Sequence, residues 1–136
     1  MAILVAGTLD LLMKSKNTGK FALVDFKRTD PTPKYKNAPP NLLGVNGSNL
    51  AAWAKYPLSD LEDSDFGKYT TQLAVLSKIL RDKYGIDVGE NTFLLQVHEA
   101  LDVAHLVRTV DISSAINCMF AIEKERWSAA AIVNVL

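Results

Sequence analysis

The chain has 136 residues, 15 Lys+Arg against 15 Asp+Glu, and 49% apolar residues. That length accommodates one domain spanning residues 1–136, and the composition is that of a packed chain rather than a disordered one. Zero net charge argues against a uniformly basic nucleic-acid binder, and no uncharged stretch free of Gly and Pro is long enough to span a bilayer.

In chain order, Ala2–Met13 is rich in Ile, Leu, Val and Thr and predicts a strand. The polar run 14–20, with Asn17 and Gly19, predicts a hairpin turn. Phe21–Lys27 follows as the second strand: Phe21, Leu23, Asp25 and Lys27 face one way, and Ala22, Val24 and Phe26 the other. Residues 29–65 hold all five prolines and predict a long irregular insertion, with a helical turn or two at Leu50-Ala-Ala-Trp53-Ala. A connection of that length in a small domain is usually functional or mobile. Ser64 or Asp65 is suited to cap a helix over Phe66–Tyr84, and Gly85 to stop it. Phe66, Tyr69, Leu73, Leu76 and Leu80 then form one buried stripe. Strands are expected at Thr92–His98 and His105–Ile112, and a last helix from Ser113 or Ser114 through Arg126, with Ile116, Met119 and Phe120 on its apolar face. The order predicts a mixed α/β domain.

The zero charge conceals an asymmetry, because residues 1–40 sum to +4 and residues 41–136 to −4. A locally basic surface can still meet a polyanion, although lysines that solubilise a hairpin are the plainer reading. Met1 runs into Ala-Ile-Leu-Val with no basic segment before it and no cleavage site after it. No signal peptide is therefore expected, and an intracellular location, cytoplasmic or nuclear, is the default, with a viral or phage-encoded source compatible. The single Cys118 excludes an internal disulfide and a Cys-rich zinc site, and its apolar helical setting makes it a small core residue.

The residues that carry chemistry are Gly7-Thr-Leu-Asp10 on the first arm and Asp25-Phe26-Lys27 on the second. Two carboxylates on adjacent strands can share a hard divalent cation, and Mg²⁺ takes few carboxylates while keeping waters for a phosphate. Asp25 and Lys27 lie two apart in a strand and project to the same side, within reach of one phosphate. A carboxylate–metal pair beside an ammonium can activate water and neutralise charge developing on phosphorus. An exposed hairpin edge showing Asp, Asp and Lys is the plain structural alternative.

At these positions the chain resembles the PD-(D/E)XK nuclease superfamily, in particular its RecB-like exonuclease branch. The resemblance rests on Gly7-Thr-Leu-Asp10, Leu23-Val-Asp25-Phe-Lys27 and Tyr69-Thr-Thr-Gln72-Leu73, and covers roughly residues 3–110 in element order. It implies a restriction-endonuclease-like α/β fold, a mixed β-sheet flanked by helices, and Mg²⁺- or Mn²⁺-dependent hydrolysis of DNA phosphodiester bonds in repair or recombination. Asp10, Asp25 and the Phe26 carbonyl would hold the metal, Lys27 would position water or stabilise charge, and Gln72 would orient the site. Leu76 stands where the branch usually has Tyr, and Arg28 where Thr or Ser often follows the Lys. The family core usually begins with a further helix and strand, and six residues precede Gly7. A minimal core, a fragment, or a second subunit over the vacant sheet face, as a homo-oligomer or part of a larger complex, would each account for this.

Arg28, Lys34, Tyr35, Lys36 and Tyr69 are the candidate DNA contacts, because Lys-Tyr-Lys combines backbone charge with an aromatic for base stacking. A solvated loop with Tyr35 pinned to the core is the equal alternative. Trp53 reads as an anchor for the long loop, and residues 60–65 as helix capping and solvation. His98 and His105, seven apart, match no zinc spacing and read as satisfied loop-end side chains. Two functions are therefore carried: a metal-dependent deoxyribonuclease, and a catalytically inactive nuclease-like module for DNA binding or complex assembly.

Overall fold

The computed structural model of the chain describes residues 6–30, 53–61 and 64–133, with α2 side chains described to Ala130. Its elements run β1 (Leu11–Lys14), β2 (Phe21–Lys27), α1 (Asp65–Tyr84), β3 (Thr92–Gln96), β4 (His105–Arg108) and α2 (Ser113–Val133). The four strands form one mixed sheet in the order β1-β2-β3-β4. β1 and β2 are an antiparallel hairpin, β2 and β3 are parallel, and β4 returns antiparallel to β3. A parallel pair needs a crossover, and α1 provides it. The chain is thus a small α/β protein with a four-stranded mixed sheet and two helices.

Local chemistry explains the ends of α1. Ser64 is extended and its Oγ accepts from the Gly67 N–H at 3.1 Å. Gly85 takes a left-handed φ of 65° and its N–H bonds the Arg81 carbonyl, closing the helix. The stripe expected on α1 forms the core: Leu73, Leu76 and Leu80 pack with Leu23, Val88 and Leu94, and Phe66 and Tyr69 border them half-buried. Each fully buried leucine contributes about 2 kcal/mol. α2 packs on α1. The sheet face turned away from α1 carries Met13, Phe26 and Leu106, all exposed.

Several expected boundaries move. β1 is shorter than the predicted strand 2–13: residues 1–5 lie outside the described residues, and residues 6–10 are not strand. Asp10 therefore precedes β1 rather than lying in it, and its side chain takes the place a neighbouring strand would fill on β2. β3 and β4 end at Gln96 and Arg108, two and four residues earlier than expected. α2 continues seven residues beyond Arg126, through an Ala-rich run of high helix propensity. Trp53 and Ala54 are not helical, and residues 50–52 lie outside the described residues. Trp53 is 57% exposed, so it does not anchor the loop into the core. Turn bonds Leu58 N–H to the Lys55 carbonyl and Leu61 N–H to the Leu58 carbonyl shape this segment instead. Cys118 is half-buried rather than core, with its Sγ 3.4 Å from the Tyr56 hydroxyl, a bond that raises the Tyr56 pKa.

Candidate functional site

The C-terminal ends of β2 and β3 and the first turns of α1 meet at one polar cluster. Period-two alternation along β2 sends Leu23 into the core under α1 and sets Asp25 and Lys27 further along the same face. Asp25 is 4% exposed, at the edge of the leucine core. A carboxylate buried among apolar side chains needs a partner, and Lys27 Nζ stands 2.6 Å from its Oδ2. Two side chains one turn apart on α1 complete the setting of the ammonium. Lys27 Nζ donates to Gln72 Oε1 at 3.1 Å and lies 4.3 Å from the centre of the Tyr69 ring. The ring's negative face and the amide oxygen both favour the cation.

The Phe26 N–H donates to Asp10 Oδ2 at 2.9 Å. The parallel ladder explains why that N–H is available. Leu23 N–H reaches the Asn91 carbonyl and Val97 N–H reaches the Lys27 carbonyl, so residues 23, 25 and 27 of β2 face β3. Phe26 faces the β1 side, where strand pairing stops at Leu11 opposite Val24. Its carbonyl is turned to the same edge as Asp10.

The structure thus brings Asp25, Gln72 and Tyr69 each against Lys27 and sets Asp10 against the Phe26 backbone. Arg28 follows the strand as an exposed side chain. Lys34, Tyr35 and Lys36 lie outside the described residues. Tyr69, half-buried, sets its ring under Lys27 Nζ. His98 behaves as a loop-end side chain, its Nδ1 accepting the Ala100 N–H at 3.1 Å.

Gln96 was not among the expected site residues. It is fully buried beside Lys27 in the β2–β3 register, and its amide donates to the Thr29 carbonyl at 2.8 Å. That bond ties down the chain where it leaves the site. A polar side chain in the apolar run Phe93-Leu94-Leu95-Gln96-Val97 was the available signal.

A divalent cation is the group the resemblance implies. Among the described residues no three His, Cys, Asp or Glu side chains cluster as a ligand set. The donors present are oxygens only: Asp25, Asp10 and the Phe26 carbonyl. Asp25 Oδ2 is buried and, among the described residues, accepts no hydrogen bond and pairs with Lys27. A buried anionic oxygen with unused acceptor capacity fits a hard cation that keeps most of its waters.

Comparison with protein-family models, with curated proteins and with solved structures finds no match to this chain. No helix among the described residues is long and apolar enough to cross a membrane.

Proposed function

We propose that the chain is a metal-dependent deoxyribonuclease with a restriction-endonuclease-like core. The observation that carries this reading is the Asp25–Lys27 pair, held in a buried setting by Gln72 and Tyr69. A surface ion pair is worth little and needs no second layer of support. Here two other groups, the Gln72 amide and the Tyr69 ring, fix one ammonium beside one carboxylate, an arrangement suited to a reacting centre.

Asp10, Asp25 and the Phe26 carbonyl would hold Mg²⁺ or Mn²⁺, which supplies Lewis-acid activation of the phosphate and of the attacking water. Asp25 orients that water through its free lone pairs. Lys27 donates a charge-assisted hydrogen bond to the non-bridging phosphate oxygen as negative charge accumulates there. Gln72 and Tyr69 keep the ammonium aimed at the phosphate and act as positioning residues.

The second reading, an inactive nuclease-like module for DNA binding or assembly, draws on one observation. Asp10 Oδ2 accepts the Phe26 N–H and thereby serves the hairpin edge. The discriminating experiment is cleavage of single-stranded, duplex and branched DNA in Mg²⁺ or Mn²⁺, with EDTA and Lys27→Ala as controls. Cleavage lost in both controls supports the nuclease. Binding of DNA with no cleavage under any condition supports the module.

A further inference from the structure

The register of the sheet aligns three polar side chains across three strands: Lys27 of β2 is paired with Gln96 of β3, which is paired with His105 of β4. Residues paired in register share a face, so all three lie on the α1 side. β2 and β3 end at this row and β4 begins there, which makes it one rim of the sheet. Along that rim Lys27 is held by Asp25, Gln72 and Tyr69, and the Gln96 amide is bonded to Thr29. His105 differs from both. Its side chain is exposed and, among the described residues, makes no hydrogen bond or ion pair.

An exposed imidazole with free ring nitrogens, on the row that holds the reactive ammonium, is placed to bind rather than to support the fold. The two strand spacings from β2 to β4 amount to about 10 Å. A nucleic-acid strand advancing about 3.4 Å per nucleotide covers that distance in roughly three nucleotides. We infer that His105 binds a backbone phosphate of the DNA strand a few nucleotides from the scissile one. The strand then crosses the ends of β2, β3 and β4 with Lys27 at the reacting phosphate. A ring N–H donates to the phosphate oxygen, a contact that positions the strand without reading its sequence. His105 is on this account a binding residue, and its assignment rests on the nuclease reading above.

The test uses wild type, His105→Ala and His105→Lys. Binding of a fluorescent single-stranded oligonucleotide is read in Ca²⁺, and cleavage kinetics in Mg²⁺ or Mn²⁺. Loss of one phosphate hydrogen bond should weaken binding and raise KM by about 3- to 10-fold, with kcat within about twofold of wild type. His105→Lys, which keeps a hydrogen-bond donor at this position, should recover binding to within about twofold. Unchanged binding and KM in His105→Ala, in a chain that cleaves DNA, would overturn the His105 assignment alone. A fall in kcat at constant KM would also overturn it. A wild-type chain that neither binds nor cleaves DNA would overturn the assignment and the nuclease reading together. Should wild type bind without cleaving, the binding comparison still decides His105 while the activity fails separately.

Discussion

Lys27 Nζ stands 2.6 Å from Asp25 Oδ2, and among the described residues that oxygen accepts no hydrogen bond that could replace it. Removing the ammonium leaves a buried charge beside the leucine core. Lys27→Met should therefore destabilise the fold by about 3 kcal/mol in urea unfolding, because the desolvated carboxylate loses its counter-charge. Asp25→Asn combined with Lys27→Met should cost less than the two single changes added, by about 1.5 kcal/mol or more. Strict additivity would mean that the pair is solvated and contributes nothing.

Gly7 is the second place where geometry makes a sharp demand. A Cβ there would come 2.7 Å from Leu76 Cδ2. Leu76 is itself buried, so it has little freedom to withdraw. Gly7→Ala should lower stability by about 1 kcal/mol, and this cost should vanish in a Leu76→Ala background, where the space exists. A persistent cost in that background would place the demand on the backbone rather than on Leu76.

Ser113 N–H donates to Asp111 Oδ1 at 2.9 Å, and this bond, followed by the Ser113 side chain, holds the Asp111 carboxyl below its usual pKa. A depressed folded-state pKa adds stability above the unfolded value of about 3.9, and that stability is lost as pH falls through the folded value. Asp111→Ala should thus melt slightly below wild type at pH 6, the gap being small because the carboxylate is exposed. The two should converge as the pH is taken down towards 2. A gap that stays constant over that range would show that the carboxylate charge plays no part.

Much of this architecture was legible in the sequence where the determinants are local. Ser64, Gly85 and the leucine stripe fix α1 within a few residues, because caps and periodicity act over one turn. The shared side of Asp25 and Lys27 followed from strand alternation. The place of Asp10 did not, because it depends on a side-chain bond to a backbone group 16 residues away. Tyr69 was read as a DNA contact, and only the packing of α1 on β2 sets its ring under Lys27. Gln96 was missed because a single polar residue in an apolar strand does not disclose that a distant carbonyl, at Thr29, will meet it. Trp53 was misjudged because aromatic size argues for burial, whereas its surroundings leave it exposed.

The proposed role of Asp25 and Lys27 is that of a phosphodiester-cleaving centre. The most direct measurement is the rate of acid-soluble nucleotide or fragment release from labelled DNA in Mg²⁺ or Mn²⁺, for wild type, Asp25→Asn and Lys27→Ala, each checked for a folded thermal transition. Wild type should cleave measurably, EDTA should abolish that cleavage, and each folded variant should lose about 10²-fold or more. Cleavage that persists at the wild-type rate in both variants, or a folded wild type inert on every DNA form in either metal, would contradict that role.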